Sequence, residues 1–590
     1  MNDNLTSLRV LLLDCQATGA DPERNSLLEM GWSVINASGS ENDHHPPVVS
    51  HIIAQSPETE IPGRVRRITG ITDDMTAGGD DPASLWAGLT ATAAETAALN
   101  GMDMCPTVIH YARFEEPWLR RLHDRFSPGT TFPFRIVCTH EIARRLLPWL
   151  PRRGLRAVAG YFGHGAGELR RSKDHVEATA VIWRSFVEKL AAEHGIVTLE
   201  SLESWIAGIP APARSGRTYL VDRETRLALP DRPGIYRMLR SNGDILYVGK
   251  AKSLRRRVNS YFTKQSGHPE HILEMLSQAT GFDVESSGSA LEAAIREHDE
   301  IKRIAPPYNR ALRESERTLA FCSRDFTAFS CTPDDDHPIG PITSREAVAP
   351  LALLTPAVMD ARLPEEAMDS AFPCEALGIP EKYAPDPRCF GEGFEIFIDR
   401  RRSIITSSPL ERVLVRLGYI LRLERLNADE DETGDTDLSE SDGAGDTQDI
   451  SSGDGDGEWT PEHVADAVEG TIRRAMHTIR RARWYCRLSE SALVWRRGND
   501  PNDSRRFIII VNGALAEAGE LGDSEYPVPR NYRRSVRERQ QCFDIAAYDR
   551  LRVLTTEMRR LVSEERDIGL VLTPTLTIGC KSLATLLVWV

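Results

Sequence analysis

The sequence lacks the features that would place it in a membrane, in a secretory pathway or among zinc proteins. None of its apolar runs reaches the roughly 18 residues that a membrane-spanning helix needs. The N-terminal run LRVLLL is short and is not followed by a small-residue cleavage site, so a secretory signal is not expected. The ten cysteines form no CxxC pair and have no histidines at zinc spacing. These absences predict a cytoplasmic protein with reduced thiols and no membrane partner.

Basic side chains are outnumbered by acidic ones, but the acidic excess is confined to one segment. The formal net charge is −15, from 72 Lys and Arg against 87 Asp and Glu. Residues 429–458 carry thirteen acids and no base, and without them 72 basic side chains face 74 acidic ones. A Gly/Ser/Asp-rich segment of this kind cannot bury a core, so we expect an acidic disordered linker over residues 428–458, acting as a solvated spacer or as a DNA mimic. The whole-chain charge therefore does not exclude DNA as a partner.

The length and the hydrophobic pattern divide the chain into several parts. At 590 residues it is too long for one core. Strand-like runs alternate with helical stretches over residues 8–195, which predicts an α/β domain. We further predict a linker over residues 196–228, a compact α/β domain over 229–313, a following region over 314–427 and an α+β region over 459–590. The fold class is therefore multidomain α/β with a mixed, mainly helical C-terminal region.

A set of phenols, cations and one carboxylate marks the compact domain. Its first part, PGIYRMLRSNGDILYVGK, is predicted as a β-hairpin that turns at the Asn-Gly pair and carries Tyr236 and Tyr247 on its two strands. Arg257 and Tyr261 are four residues apart and share a face of the next helix. Glu297 lies on a later amphipathic helix. Phosphodiester hydrolysis needs a divalent ion on a carboxylate, a base for water and cations for the developing charge, which these side chains would supply.

The same stretch, with LEAAIREHDEIKRIAPPYN after it, resembles the GIY-YIG nucleases, and in particular the N-terminal domain of the UvrC excinuclease and its short homologue Cho. The resemblance implies that Glu297 binds a single Mg²⁺ or Mn²⁺ ion. It implies that Tyr236 or Tyr247, helped by Lys250, is the general base, and that Arg257 steadies the scissile phosphate. Tyr261 would complete the catalytic set, and the expected DNA contacts are Gly249, Lys252, Arg255, Arg256 and Asn309.

Beyond residue 309 the resemblance to UvrC becomes partial. The segment PIGPITSREAV is similar to the one that follows the nuclease domain in UvrC. The second catalytic domain, the helix-hairpin-helix module and the UvrB-binding helical segment of UvrC have no counterpart. The resemblance therefore implies a DNA repair endonuclease that makes one incision in damaged duplex DNA, with a UvrB-like loading partner.

The N-terminal 8–195 stretch resembles a second nuclease family. The motifs LLLDCQATGADPERNSLLEMGW, IPGRVRRITGITDDM, TVIHYARFEEPWL and KDHVEATAVIW occur in the order found in DnaQ-like 3′–5′ exonucleases, which implies an RNase H-like sheet. That family binds two divalent ions with an Asp-x-Glu pair and two further Asp, and uses a His as base. Here Asp14, Glu115 and Asp174 occupy acid positions. Gln16 replaces the paired Glu, and Leu169 stands at the His position.

An amide oxygen cannot neutralise two divalent ions, so the motif predicts a weak or silent exonuclease site. A one-metal variant that uses Asp14, Glu115 and Asp174 stays open. His175 adjoins Asp174 but is expected to point about 100° away from it, and His164 could swing in from the GHGAG loop. A silent domain could still hold single-stranded ends. Two other functions also stay open: a scaffold with two vestigial nuclease domains, and an enzyme with both activities.

Overall fold

The structure is a computed structural model that describes residues 3–38, 47–56, 58–165, 169–208, 219–263, 267–309, 317–409, 412–432, 459–496, 504–522, 525–564 and 567–588. The chain forms two compact units, Met1–Arg313 and Glu314–Val590. Most of the acidic linker predicted over residues 428–458 lies outside the described residues, but its first residues are helical up to Glu432.

The N-terminal part of the first unit is built on a five-stranded sheet with the strand order β3-β2-β1-β4-β5. The strands are β1 (Val10–Ala17), β2 (Leu27–Ile35), β3 (Val49–Ile52), β4 (Cys105–Ile109) and β5 (Phe134–Cys138). β1 pairs antiparallel with β2 and parallel with β4, and β5 is parallel to β4. This is an RNase H-like sheet, so the fold implied by the DnaQ-like motifs is confirmed.

Helices cover both faces of this sheet, which explains why β1 is apolar at consecutive positions. The helices are α1 (Gly63–Thr69), α2 (Asp73–Ala77), α3 (Pro82–Asn100), α4 (Ala112–Phe126), α5 (Thr139–Leu146), α6 (Leu155–Tyr161) and α7 (Ser172–His194). Leu11 and Leu13 belong to one buried cluster, whereas Leu12 packs in a second cluster with Trp183 of α7. Because side chains alternate along a strand, Asp14 and Gln16 point to the same face as Leu12.

The linker predicted over residues 196–228 contains two helices, which corrects the sequence interpretation. These are α8 (Leu199–Gly208) and α9 (Arg223–Leu227). Leu199 and Leu202 of α8 are buried in the N-terminal core. The Pro and Gly residues on which the linker prediction rested fall largely in residues 209–218, outside the described part of the chain.

The central part of the first unit is a three-stranded antiparallel sheet in the order β7-β6-β8, with three helices. Its elements are β6 (Gly234–Leu239), β7 (Ile245–Ala251), α10 (Leu254–Thr263), α11 (Glu270–Gln278), β8 (Gly281–Ser286) and α12 (Ala290–Ile304). The predicted hairpin is confirmed: Gly243 adopts φ 89° in the turn, a conformation that favours glycine.

Along the chain, the second unit consists of a small sheet, a group of helices and a second sheet. A three-stranded sheet is formed by β9 (Ala320–Cys322), β10 (Phe329–Ser330) and β11 (Ile339–Ile342). The helices are α13 (Leu351–Met359), α14 (Ala371–Leu377), α15 (Pro387–Ser407), α16 (Val413–Glu432) and α17 (Pro461–Leu488), with short 3-10 helices at Glu365–Met368 and Glu381–Tyr383. Buried side chains of α15, α16 and α17 form its largest apolar cluster.

The last part of the chain is a second five-stranded sheet with three helices. It consists of β12 (Ala492–Arg496), β13 (Arg505–Val511), β14 (Ala514–Leu521), α18 (Val536–Gln541), α19 (Ile545–Ser563), β15 (Ile568–Thr573), β16 (Leu576–Gly579) and α20 (Cys580–Val588). β12 pairs antiparallel with both β13 and β15, unlike the parallel pair at the centre of the N-terminal sheet. The apolar residues near the C-terminus, in the sequence LATLLV, lie in the helix α20.

Across the described ranges, no helix is both long and apolar enough to cross a membrane.

Candidate active sites

The first candidate site lies where β1 faces the start of α7. His175 Nδ1 lies 3.0 Å from Asp14 Oδ1. Gln16 Nε2 donates a hydrogen bond to Asp14 Oδ2 at 3.0 Å. Both carboxylate oxygens of Asp14 therefore have partners from this chain. One partner is Gln16, the residue that replaces the paired Glu of the family motif.

His175 has a raised pKa. Its Nε2 lies 3.3 Å from the carbonyl oxygen of Leu169, and its Nδ1 lies 3.0 Å from Asp14 Oδ1 and 3.4 Å from Gln16 Nε2. Burial alone lowers the pKa of His175, but the Asp14 carboxylate and its hydrogen bond raise it to about 9. An imidazolium therefore stands beside Asp14, where a metal site would need a divalent ion.

Asp174 lies outside this site. Its Oδ2 accepts hydrogen bonds from the backbone N–H groups of Arg170 and Arg171, at 3.2 and 3.1 Å, and so caps the N-terminus of α7. The DnaQ-like motif implies Asp174 as an acid of the same site as Asp14, and helix geometry predicts that His175 points away. The structure corrects both expectations, because α7 is rotated so that His175 faces the sheet.

Glu29 on β2 fixes this rotation of α7. It is 1% exposed and accepts hydrogen bonds from Arg171 Nη2 at 2.7 Å, from Ser172 N at 3.0 Å and from Ser50 Oγ at 2.9 Å. A buried carboxylate with a guanidinium and two further donors is fully satisfied, and it ties the first residues of α7 to the sheet. Sequence reasoning missed this clamp, because Glu29 and Arg171 are far apart along the chain.

Glu115 is the remaining acid of the first site. It is 4% exposed, and burial followed by the nearby Asp14 charge raises its pKa well above its usual range. His164 is not a partner of Asp14; its backbone N–H donates to the carbonyl of Ala159. Within the part of the chain that the structure describes, no group of three or more His, Cys, Asp or Glu could hold a metal ion. These residues therefore do not fit the two-metal site of the DnaQ-like family.

The second candidate site is a group of three phenols and a guanidinium in the central part. The ring centroids of Tyr236, Tyr247 and Tyr261 lie between 6.1 and 6.5 Å apart. The hydroxyl oxygens of Tyr236 and Tyr261 are 2.8 Å apart, and Arg257 Nε donates to the Tyr236 hydroxyl at 3.3 Å. Arg257 also lies over the Tyr261 ring at 5.3 Å. The structure thus brings these four predicted residues together.

The two hairpin phenols differ in their access to solvent. Tyr236 is fully buried, whereas Tyr247 is half-buried. Burial raises the pKa of both phenols, and the neighbouring Tyr261 adds to both shifts. The negative charge of Glu297 further raises the pKa of Tyr247. Tyr247 is therefore the phenol that is both reachable by water and close enough to sense the Glu297 carboxylate.

Glu297 is attached to the strand that carries Tyr247. Ala293 and Ala294, one turn before it on α12, are fully buried, and their small size lets α12 approach β7 closely. Glu297 Oε1 accepts a hydrogen bond from the backbone N–H of Lys250 at 2.7 Å. The contact fixes the one carboxylate of the site relative to the phenols.

Gly249 is buried against the phenols and Asn309 against β7, and their expected role as DNA contacts stays a prediction. Gly249 lies opposite Tyr236 in the sheet, and a Cβ there would be 2.4 Å from the Tyr236 hydroxyl oxygen and 2.8 Å from a Tyr247 ring carbon. Asn309 is 5% exposed, and its amide accepts from Val248 N at 2.9 Å and donates to Val248 O at 2.8 Å. Both residues hold β7 in place instead of facing solvent.

A basic patch borders the second site at the start of α10. Lys252 is exposed, and the side chain of Arg256 is 84% exposed. Arg255 Nη2 pairs with Asp231 at 3.0 Å. Arg256 Nη2 also lies 4.0 Å from the same carboxylate, so the patch combines exposed cations, of the kind that contact phosphate groups, with one acid.

His268 is a further neighbour of the second site that sequence reasoning missed. Its ring stacks on Tyr261 with a centroid distance of 6.1 Å, and its Nε2 lies 3.0 Å from the Tyr261 carbonyl oxygen. The residue follows α10 in a short Gly-His-Pro sequence that carries no recognisable signal of its own.

Two curated relatives resemble parts of this chain. A Mycobacterium tuberculosis (strain CDC 1551 / Oshkosh) protein, named as a candidate bifunctional exonuclease/endonuclease, is 30% identical over 305 residues, which are 51% of this chain and 44% of that protein. The UvrABC system protein C of Psychrobacter sp. (strain PRwf-1) is 44% identical over 110 residues, which are 18% of each chain. This chain thus matches less than half of the length of either relative.

One solved structure resembles the central part. It is the GIY-YIG N-terminal endonuclease domain of UvrC from Thermotoga maritima, bound to magnesium, with 32% sequence identity and a TM-score of 0.14; the match covers 15% of this chain and 93% of that domain. Residues 232–310, which hold the phenols, Arg257 and Glu297, match the family of UvrC-like GIY-YIG domains. The central part of this chain is therefore a UvrC-like GIY-YIG endonuclease domain.

Proposed function

We propose that this protein is a metal-dependent DNA endonuclease that makes single-strand incisions in DNA repair through its GIY-YIG domain. The observation that carries the proposal is the convergence of Tyr236, Tyr247, Arg257 and Glu297 on one site within a domain that matches a nuclease family. We expect the N-terminal domain to contribute no cutting, because Asp14 is occupied by His175 and Gln16 and Asp174 caps α7.

A single carboxylate fits Mg²⁺ or Mn²⁺ in a phosphoryl-transfer site. Mg²⁺ retains several water molecules and is commonly held by one or two carboxylates together with substrate phosphate oxygens. Glu297 would hold the ion, with its orientation fixed by the Lys250 N–H. When bound, the ion would supply Lewis-acid stabilisation of the charge that develops on the phosphoryl group.

Of the two hairpin tyrosines, Tyr247 is assigned as the general base. A base must lie within hydrogen-bond reach of the attacking water, and the fully buried Tyr236 offers no room for one. The pKa of Tyr247 is raised partly by the Glu297 charge, and a cation on Glu297 offsets this effect, which makes deprotonation easier in the loaded site. Tyr236 and Tyr261 then serve to orient Arg257, which would steady the scissile phosphate.

The substrate is damaged duplex DNA, delivered by a UvrB-like loading partner. The basic patch of Lys252, Arg255 and Arg256 supports contact with the phosphate backbone, and affinity should therefore fall steeply with salt as counterions are released. The resemblance to a UvrABC system protein supports the choice of partner.

The test is a nicking assay on an end-labelled duplex that carries one bulky adduct, in Mg²⁺ or Mn²⁺, with and without a UvrB-type protein. Wild type is compared with Glu297→Gln and with Asp14→Asn. We expect one discrete internal nick that is lost in Glu297→Gln, with DNA binding retained, and that is unchanged in Asp14→Asn. As a matched control, Asp299→Asn removes a neighbouring acid of the same helix and should cut normally.

Two outcomes would contradict the proposal. A ladder that shortens from the 3′ end and disappears in Asp14→Asn would show an active exonuclease and a misjudged first site. Absence of cutting under every condition would favour a non-catalytic DNA-binding scaffold.

A further inference from the structure

The N-terminal domain packs directly on the GIY-YIG domain through α6 and α11. Gly160 on α6 faces the side chain of Gln278 at the end of α11, and a Cβ at this glycine would lie 1.9 Å from Gln278 Oε1. Any larger residue at this position would displace the buried Gln278 side chain. The two helices α6 and α11 are therefore in contact where Gly160, which lacks a side chain, leaves space for Gln278.

The contact surface buries polar side chains, and some of them are hydrogen-bonded within it; among the described residues, Arg152 Nε and Arg156 Nε and Nη2 are buried there without a hydrogen-bond partner. Ser277 and Gln278 are both fully buried, which is unusual for their residue types. Ser277 Oγ accepts a hydrogen bond from the backbone N–H of Arg152 at 2.9 Å, and Gln278 Oε1 accepts one from Arg240 Nη2 at 2.8 Å. At the hairpin turn, Asn242 Nδ2 donates to the carbonyl of Gly163 at 3.3 Å. Paired, buried polar groups indicate a specific interface.

Arg156 of α6 is the cation at the centre of this interface. Its guanidinium carbon lies 4.6 Å from the centroid of the Tyr308 ring, and its Nε lies 3.5 Å from Glu274 Oε1. The Tyr308 hydroxyl donates to the same Glu274 oxygen at 2.6 Å. A side chain of the N-terminal domain thus contacts both the ring and the hydroxyl partner of a tyrosine in the GIY-YIG domain, through a cation–π contact and an ion pair that is longer than a hydrogen bond.

Tyr308 directly precedes Asn309, whose side-chain amide is hydrogen-bonded to β7. The Tyr308 backbone N–H donates to the carbonyl of Leu246 at 3.1 Å. The next residue, Asn309, makes two hydrogen bonds to the backbone of Val248, which lies between Tyr247 and the glycine that packs on the phenols. The contacts form a continuous series from α6 to β7.

We propose that the N-terminal exonuclease-fold domain is a brace for the GIY-YIG site, in which Arg156 is a positioning residue that acts through Tyr308 and Asn309 on β7. The inference rests on the proposed endonuclease function for its catalytic readout. It assigns a role to a domain whose Asp14 is paired with His175 and Gln16, and it agrees with the two domains lying in one compact unit.

The test compares Arg156→Ala with Arg64→Ala in the full-length chain. Arg64 is an exposed arginine on α1 and serves as the matched control. For Arg156→Ala we expect kcat for nicking to fall about tenfold, with KM changed by no more than about twofold, because a displaced strand misplaces the base without removing a DNA contact. Tyr308→Ala should give the same loss, and the double variant Arg156→Ala/Tyr308→Ala should add nothing further.

A second measurement is independent of catalysis. Amide hydrogen exchange in the β7 segment, residues 245–251, should be about tenfold faster in Arg156→Ala than in wild type and unchanged in Arg64→Ala. Wild-type kcat and unchanged β7 exchange in Arg156→Ala would overturn the brace. If the wild-type chain does not cut DNA, the proposed function fails, while the exchange experiment still decides whether the N-terminal domain supports β7.

Discussion

Asp14 and Glu297 are the central carboxylates of the two candidate sites, and their surroundings differ in kind. Asp14 faces an imidazolium and an amide that occupy both of its oxygens. Glu297 accepts from a backbone N–H and lies near a half-buried phenol. The comparison supports the proposal that Asp14 is not a metal ligand, because the chain supplies its own histidine and amide as partners of that carboxylate.

The largest effect on the Glu297 site is expected when the hydroxyl group of each hairpin tyrosine is removed in turn. Tyr247→Phe should lower the single-turnover nicking rate about 10³-fold, because the group that activates water is lost. Tyr236→Phe should lower it only about tenfold, because the Tyr236 hydroxyl contacts Tyr261 and Arg257 rather than water. A larger loss in Tyr236→Phe would reverse the assignment of the base.

The second test alters the packing beneath the phenols. Gly249→Ala should lower the nicking rate about 10²-fold, because a Cβ would meet both hairpin tyrosines and move them. Gly281→Ala is the matched control in the same sheet, since a Cβ there meets nothing within 4 Å. Equal rates in the two variants would show that the phenols tolerate displacement.

The third test concerns the built-in cation of the first site. The pKa of His175 is raised from its usual 6.5 to about 9, so its stabilising effect is fully present below pH 6.5 and is lost as the pH rises through 9. The unfolding free energy of wild type should exceed that of His175→Gln by about 2 kcal/mol at pH 6, and the difference should vanish near pH 10. Urea denaturation at several pH values measures it; a difference independent of pH would mean that His175 is neutral.

The smallest expected effect separates a helix cap from a metal ligand. Asp174→Ala should lower the unfolding free energy by about 1 kcal/mol, as loss of a capping side chain does, and should leave nicking unchanged. Thermal unfolding with and without Mn²⁺ provides the check. A Mn²⁺-dependent stabilisation of wild type that disappears in Asp174→Ala would restore the one-metal alternative.

The members of the GIY-YIG site could be named from the sequence, through its resemblance to the family. Tyr236, Tyr247 and Arg257 are close along the chain, on a hairpin and the helix after it, and the structure brings them together with Glu297 of α12 near Tyr247. The roles of Gly249 and Asn309 could not be predicted, because burial of a glycine against two rings, or of an amide against a strand, depends on how the elements pack.

The N-terminal site was predicted less well for a physical reason. Asp14 and Gln16 share a face of β1 by strand alternation, which the sequence indicates. Which residue of α7 meets them depends on the rotation of the helix, and one position changes the direction of a side chain by about 100°. Glu29 sets that rotation from a different strand, so no local pattern could choose between Asp174 and His175.

The sequence by itself determined the hairpin with its phenols, through short-range periodicity, and its resemblance to two nuclease families implied the two folds and the missing paired acid at Gln16. Only the tertiary structure decided that His175 is the partner of Asp14 and that Arg156 reaches the GIY-YIG domain. Both contacts join residues that are more than a hundred positions apart, and such pairs are selected by the packing of helices on sheets and on each other, which a single sequence does not encode locally.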